Sequence, residues 1–527
     1  MRGNPAYMVD TVAAPAGDST PPSRLALNIA VGCVMLSTFM QALDTTVANV
    51  ALPYMQGSLQ ASRDQITWVL TSYVIIGAII TPPIGWLALR FGRKELLLLS
   101  VVGFTLASML CGIAANLEQM IAFRLLQGLF GAALQPLSQS IVLDSYPLEQ
   151  RGWVMSVWSM FVFLGPILGP TLGGFLTEFY SWRWVFYVNV PVGLVAAAGI
   201  YIFLSDEWEK SRSPFDWLGF ITLSIALAAL QLMLDRGTDK DWFESPEIVV
   251  EALIAGVGFY LFLVQLFTAK HTLFDKSTFR DRSFVEGLIL SFFIGNLTFA
   301  FFALLPTYLE SLTGYSVLET GFLLAPRGIA TMLTMLVVGR IVMKADPRAM
   351  MLAGALITMI SLWIICGWTP DVSTKEFVMT TFFQGTASAL IVTPMNLYMF
   401  ATLESRHRTD AASISTLLRN FGQAVGVSVS TAVLSASNQT AYAQLTAHVS
   451  PFNRGLYTNA PSLFLNPSLP PSALHLASII ARQASIIAYT DTFVFLFYCG
   501  IPIVGVILMM RKVDLLAGAM SRVPEME

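Results

Sequence analysis

Fourteen apolar stretches of bilayer-spanning length run through this 527-residue chain, and they decide most of what it can fold into. They fall at about 26–52, 66–89, 95–115, 119–143, 152–177, 184–204, 216–234, 248–268, 284–309, 317–343, 349–368, 376–402, 411–437 and 489–511, numbered spans 1 to 14. A helix needs about 20 apolar residues to cross a bilayer, so fourteen call for about 280. Hydrophobic residues are 55% of the chain, which leaves little apolar material for a soluble core. That excludes a large soluble enzyme on a membrane anchor. A β-barrel is excluded too, because its alternating strands would dilute the apolar fraction. The expected fold class is an all-α polytopic membrane protein. A net charge of −3 offers no basic surface, so no nucleic-acid partner is expected. Cys33, Cys111, Cys366 and Cys499 each lie in an apolar run and read as small core residues, not as a disulfide framework or metal site. The polar start, Met1 to Arg24, leads into a span-length stretch that reads as a retained signal anchor.

An even number of spans puts both termini on one side, and the charges say which. The termini and the loops on their side hold 20 of the 30 Lys and Arg, counting Arg340 and Arg511 with the loop and tail they adjoin, against 7 in the opposite loops. By the positive-inside rule both termini are cytoplasmic, as in a bacterial inner membrane. The chain also repeats itself. Arg151, Gly165 and Gly169 recur 257 residues on as Arg408, Gly422 and Gly426, and Gln127-Gly128 recurs at the same offset as Gln384-Gly385. The loop from Gly85 to Lys94 is echoed by Gly339, Lys344, Asp346 and Arg348. These repeats divide the chain into a tail (1–25), a first six-span bundle (26–205), a linker with spans 7 and 8 (206–282), a second six-span bundle (283–511) and a tail (512–527). Parallel six-span repeats about an axis along the membrane normal are a transporter architecture.

Ionisable residues inside spans cost about 2.5–3.5 kcal/mol each on insertion scales, so each asks for a reason. Asp44 is the carboxylate well inside span 1, and Gln41, Asp44 and Ala48 share one helical face. Arg124 in span 4 has Gln127, Gly128 and Gly131 on its stripe, small enough there to admit another helix. An Asp44–Arg124 contact would tie the acid's proton affinity to access and to bound substrate, as proton coupling requires. The same residues also fit a purely structural buried pair. Arg327 and Arg419 lie nearer span ends or small-residue faces and read as structural or gating. In span 5, Gly165, Gly169 and Gly173, with Gly174 beside them, leave one side almost bare backbone, while Pro166 and Pro170 bend it. That suits a hinge between the halves, with ordinary close packing as the alternative. Gly85, Arg90, Gly92 and Arg93 form a fixed turn whose cations stop translocation and reach neighbouring helix ends.

Together these stretches resemble the fourteen-span drug:proton antiporter family of the major facilitator superfamily. They are Leu43-Asp44-Thr45-Thr46 through Leu52-Pro53, the Gly85–Lys94 loop, Arg124 to Gly128, Gly165-Pro166 through Gly173-Gly174, Trp182 to Phe186 with Asn189-Val190-Pro191, and Leu234-Asp235-Arg236-Gly237 before Asp241-Trp242. The resemblance implies two six-helix bundles with two inserted helices. It places Asp44 and Arg124 at the proton-coupling positions, makes the span-5 glycines the antiporter motif and needs no cofactor beyond a proton gradient. It also implies a periplasmic membrane-fusion adaptor leading to an outer-membrane channel. One departure stands out: Leu89 occupies a position where the loop pattern has Asp, which predicts a weaker charge contact between the halves.

Transporter sites lie near the midplane between repeats. The expected lining is Gln41, Gln135 and Gln139 from the first half, with Phe292, Asn296, Phe299, Gln384 and Asn396 from the second. An apolar, aromatic cavity with a few amides and one acid suits lipophilic drugs and cations, although each Phe singly also fits plain helix packing. The segment 438–488 is the longest loop expected outside the membrane, Pro-, Ser- and Asn-rich at 450–472, with Leu474 to Ala488 as an apolar-faced helix. His448 and His475 make no metal site. The leading expectation is drug:proton antiport. The alternatives are transport of a specific metabolite or siderophore on the same scaffold, and a membrane receptor or scaffold. No nucleotide loop, catalytic carboxylate pair or metal spacing points to an enzyme.

Overall fold

The structure is a computed structural model that describes residues 24–205, 214–269, 271–404, 407–449 and 470–512. Most of the two expected tails and of the 450–472 segment lie outside the described residues. Regular structure within the described residues is entirely helical. Span 1 is Arg24–Ser58, span 3 Arg93–Ile113, span 4 Leu117–Ser145, span 5 Leu148–Phe179 and span 6 Trp184–Phe203. Span 7 is Trp217–Arg236, span 8 Pro246–Thr268, span 9 Arg282–Thr313 and span 11 Pro347–Cys366. Span 10 is Val317–Ile341, span 12 Thr374–Phe400, span 13 Arg408–Ala447 and span 14 Pro470–Met509. Span 2 is a pair, Asp64–Ile80 and Ile84–Phe91, bent by 60°.

Among the described residues, eleven helices are long and apolar enough to cross a membrane, and the bent pair makes a twelfth. Spans 12 and 13 have the length, 27 and 40 residues, but carry more polar side chains. Thr380, Thr381, Thr393, Ser413, Ser415 and Thr416 are all buried within the protein, so these two helices need less apolar surface. Prolines explain the breaks. At Thr81-Pro82-Pro83 two ring nitrogens lack the N–H that would continue span 2. Span 4 is interrupted at Ala132–Ala133, and the missing N–H of Pro136 is the one that would bond the Ala132 carbonyl.

One expectation needs correction. Among its described residues the segment 438–488 is almost entirely helical: span 13 continues to Ala447 and span 14 begins at Pro470. The two extensions brace each other, since the Ser437 hydroxyl bonds Asp491 and Ser485 Oγ lies 3.4 Å from Asn438 Oδ1. The apolar face read at Leu474 to Ala488 therefore belongs to span 14 itself.

Close helix approaches confirm the internal repeat. Gly165 and Gly169 of span 5 press on Ala42 and Thr46 of span 1, while Gly422 and Gly426 press on Phe292 and Asn296 of span 9. Gly128 abuts the Tyr73 carbonyl and Gly385 the Arg327 carbonyl. Partners 257 residues apart thus meet helices offset by 250 and 254. The halves touch along spans 5 and 10, where Gly152 meets Val342 and Met343, Gly328 meets Ile167, and Gly321 meets Thr171. Span 7 pairs with span 8 and rests on both halves, with the Thr71 hydroxyl bonding Asp235 and Ser428 Oγ bonding the Leu234 carbonyl.

Candidate functional site

The sequence singles out Asp44 and Arg124, and the fold brings them together inside the first bundle. Arg124 Nη1 donates to Asp44 Oδ2 at 2.7 Å, and both side chains are fully enclosed. The other carboxylate oxygen accepts from Gln127 Nε2 and Asn189 Nδ2, each at 2.8 Å. Arg124 also donates to Gln127 Oε1 at 2.8 Å and through Nε to the Val69 carbonyl at 3.0 Å. Its guanidinium lies 4.3 Å from the centre of the Tyr73 ring. Asn189 further donates to Ser108 Oγ at 3.0 Å. Spans 1, 2, 3, 4 and 6 thus each contribute a group. Asn189 was missed as a member of this network. An amide inside a span must find a partner, and that rule alone would have flagged it.

The Gly85–Lys94 segment, expected as a fixed turn, is helical over Ile84–Phe91 and turns only at Gly92, where it reaches the other half. Gly92 holds φ at +100°, a conformation that glycine adopts freely. A Cβ on Gly85 would sit 1.4 Å from the carboxylate of Asp410, so span 13 approaches here only because that position is bare. Arg93 Nη1 donates to Asp144 Oδ2 at 2.6 Å, and Arg408 of span 13 bonds the other oxygen of the same carboxylate. Thr409 and Ser140 add a hydroxyl pair at 3.2 Å. The weaker contact expected from Leu89 is therefore not what the fold shows, because Asp144 supplies the anion from span 4. Arg90 is exposed.

The span-5 glycines face inward. Gly165, Gly169 and Gly173 lie against span 1 of their own half, and Thr46 Oγ1 donates to the Gly165 carbonyl at 3.0 Å. The contact between halves comes from other span-5 positions against glycines of span 10. Pro166 and Pro170 lie inside the continuous helix, and the Gly174 carbonyl accepts from Thr177 at 3.0 Å.

The eight residues expected around a substrate lie in both halves. Among the described residues, none of the hydrogen bonds or ring contacts joins two of them. Gln41 is half-buried, while Gln135, Gln139 and Asn396 are buried. Gln139 Nε2 and both amide atoms of Asn396 lack partners. Phe292 stacks on Phe421 at 5.5 Å, Asn296 sits under Gly426, and Phe299 stacks on Phe302 at 5.9 Å. Gln384, expected between the halves, instead lines a cavity inside the second half with Arg327. Arg327 and Arg419 are not near helix ends. Each lies about ten residues inside its helix, and each has a guanidinium nitrogen without a partner.

A twofold-repeated bundle of spans around a buried acid–base pair, with a charged lock between the halves, defines a secondary transporter. The Major Facilitator Superfamily model matches residues 34–427, and the chain belongs to that superfamily. It is 33% identical to the multidrug export protein EmrB of Escherichia coli K12 over 463 residues, 87% of this chain and 90% of that one. Similarity to the fatty acid resistance protein FarB of Neisseria gonorrhoeae is 34% over 479 residues, covering 89% and 94%. Within the superfamily the chain is EmrB-like, a transporter and not an enzyme. A crystal structure of the human organic anion transporter MFSD10 (TETRAN) shares the fold at a TM-score of 0.58, with 15% identity, over 91% of this chain and 100% of that one.

Proposed function

We propose that this protein is a proton-coupled multidrug efflux transporter, an antiporter that moves lipophilic and amphiphilic compounds outward as protons enter. The observation that carries this reading is the enclosed Asp44, held by Arg124, Gln127 and Asn189. Protonating the carboxylate removes the anion that offsets Arg124. Breaking a buried pair in this way costs about 3–5 kcal/mol, enough to favour a different packing of the spans around it. With Asp44 fully enclosed in this state, a proton reaches it only when those spans move, so access and protonation are coupled. The Arg93–Asp144–Arg408 cluster holds the halves together at the end carrying the Gly85–Lys94 turn. By the charge bias that end is cytoplasmic, so this state is closed to the cytoplasm.

The relatives' names, multidrug export and fatty acid resistance, support a substrate range of lipophilic compounds that includes acids. The setting proposed is a bacterial inner membrane, with a periplasmic membrane-fusion adaptor and an outer-membrane channel completing the route. In proteoliposomes with an imposed pH gradient, wild type should move lipophilic cations and acids while Asp44→Asn does not. Gradient-driven flux through Asp44→Asn would overturn the coupling role. Deleting 455–470 should spare that flux but lower resistance in cells, and unchanged resistance would remove the adaptor.

A further inference from the structure

The second half contains a buried cation with no acid. Arg327 and Gln384 are each 4% exposed and face one cavity, walled by Ile294, Phe301, Ser388 and Ile503. The cavity is partly open and narrow, with room for a group about the size of a water molecule. Among the described residues no carboxylate lines it, and Arg327 Nη1 and Gln384 Oε1 have no hydrogen-bond partner. The guanidinium instead lies over the faces of Phe302 at 4.0 Å and Phe301 at 5.0 Å. Ring faces attract a cation less strongly than an anion does, and Nη1 keeps an unmet hydrogen-bonding capacity.

The repeat locates the difference. By the matching helix approaches, Gln384 corresponds to Gln127, Arg327 to Tyr73 and Ile294 to Asp44. The second half therefore has its cation at the position of Tyr73, with Thr381 at the position of Arg124 and an isoleucine at that of the acid.

We propose that this cavity binds a monovalent anion at Arg327, either a chloride ion or the carboxylate end of a lipophilic acid. The guanidinium fork matches a carboxylate and also serves a single halide. A half-turn of the Gln384 amide brings its N–H groups to the same point. The small volume and apolar walls exclude large or strongly hydrated anions. This assignment does not rest on proton-driven efflux, since binding is read without a gradient.

The test uses purified full-length protein. Its Tm is measured in sodium chloride against sodium gluconate at equal ionic strength, then in gluconate with decanoate or decanol added. A ligand that binds the folded state raises Tm saturably. Wild type should be less stable in gluconate and recover with chloride, decanoate or both, but not with decanol. Recovery with chloride identifies a free small anion, and recovery with decanoate alone identifies a substrate carboxylate. Arg327→Gln removes the cation and Ile294→Asp supplies an internal counter-ion, so both should be insensitive to either anion and should not lose stability in gluconate. Should Arg327→Gln not fold, Ile294→Asp carries the comparison. Equal Tm of the wild type under all conditions, or an anion shift that persists in the variants, would overturn the site.

Discussion

Where the first half carries Asp44 the second carries Ile294, and where the first has Tyr73 the second has Arg327. Both halves keep the glutamine, Gln127 or Gln384, and both keep the glycines that let spans 1 and 5, or 9 and 13, lie backbone to backbone. From one packing plan come two different interiors. In the first, acid, cation and two amides bond one another, with Asn189 Oδ1 left without a partner. The second leaves a cation and an amide unmatched beside a void. Close backbone packing fixed by small residues is common to both halves, whereas the buried charges differ between them.

That contrast can be broken from either side. The largest effect is expected for Arg124→Gln, which leaves Asp44 enclosed without its cation. It should cost about 3–5 kcal/mol, read as a fall in Tm or in recoverable folded protein. Asp44→Asn keeps the two amide contacts but leaves Arg124 enclosed without its anion, so it should lower Tm by a comparable amount and also abolish proton-driven flux, checked side by side in proteoliposomes on the folded fraction. If both substitutions are harmless, the first interior is no more specialised than the second.

Next come the shared glycines. A Cβ on Gly165 would fall 2.4 Å from the Ala42 backbone, and one on Gly422 2.2 Å from the Phe292 carbonyl. Gly165→Ala and Gly422→Ala should each cost about 1–3 kcal/mol in Tm, to a similar degree. A large difference between them would mean that the packing plan is not equally shared. Smaller again is Asp144→Asn, which leaves Arg93 and Arg408 facing a neutral amide. It should shift the balance between closed and open at that end by about tenfold, or ~1.4 kcal/mol, within the usual range of such couplings. Spin-label distances between positions 90 and 404 would measure it. The least change is expected for Leu89→Asp. Asp144 already neutralises the cluster, so transport should stay within about twofold, as for most substitutions away from a packed or paired site.

Much of this was legible before any helix was placed. A multi-pass helical chain, the repeated glycine contacts, the Asp44–Arg124 contact and the small-residue face of span 5 follow from apolar length, a repeated offset and the cost of charge in hydrocarbon. The misreadings have one origin. The span-5 glycines read as a hinge between halves, but they face span 1. Gln384 read as part of a central site, but it turns into its own bundle. Leu89 read as a weakened lock, until Asp144 proved to hold both Arg93 and Arg408 from another helix.

Sequence by itself settled that these helices cross a membrane and that Asp44 cannot face lipid, because hydropathy and the desolvation of charge act within a single helix. Tertiary structure alone decided which neighbour each polar face meets. That choice depends on how helices distant in sequence rotate and cross, and glycine contacts between spans, such as Gly165 on Ala42 and Gly328 on Ile167, set those crossings.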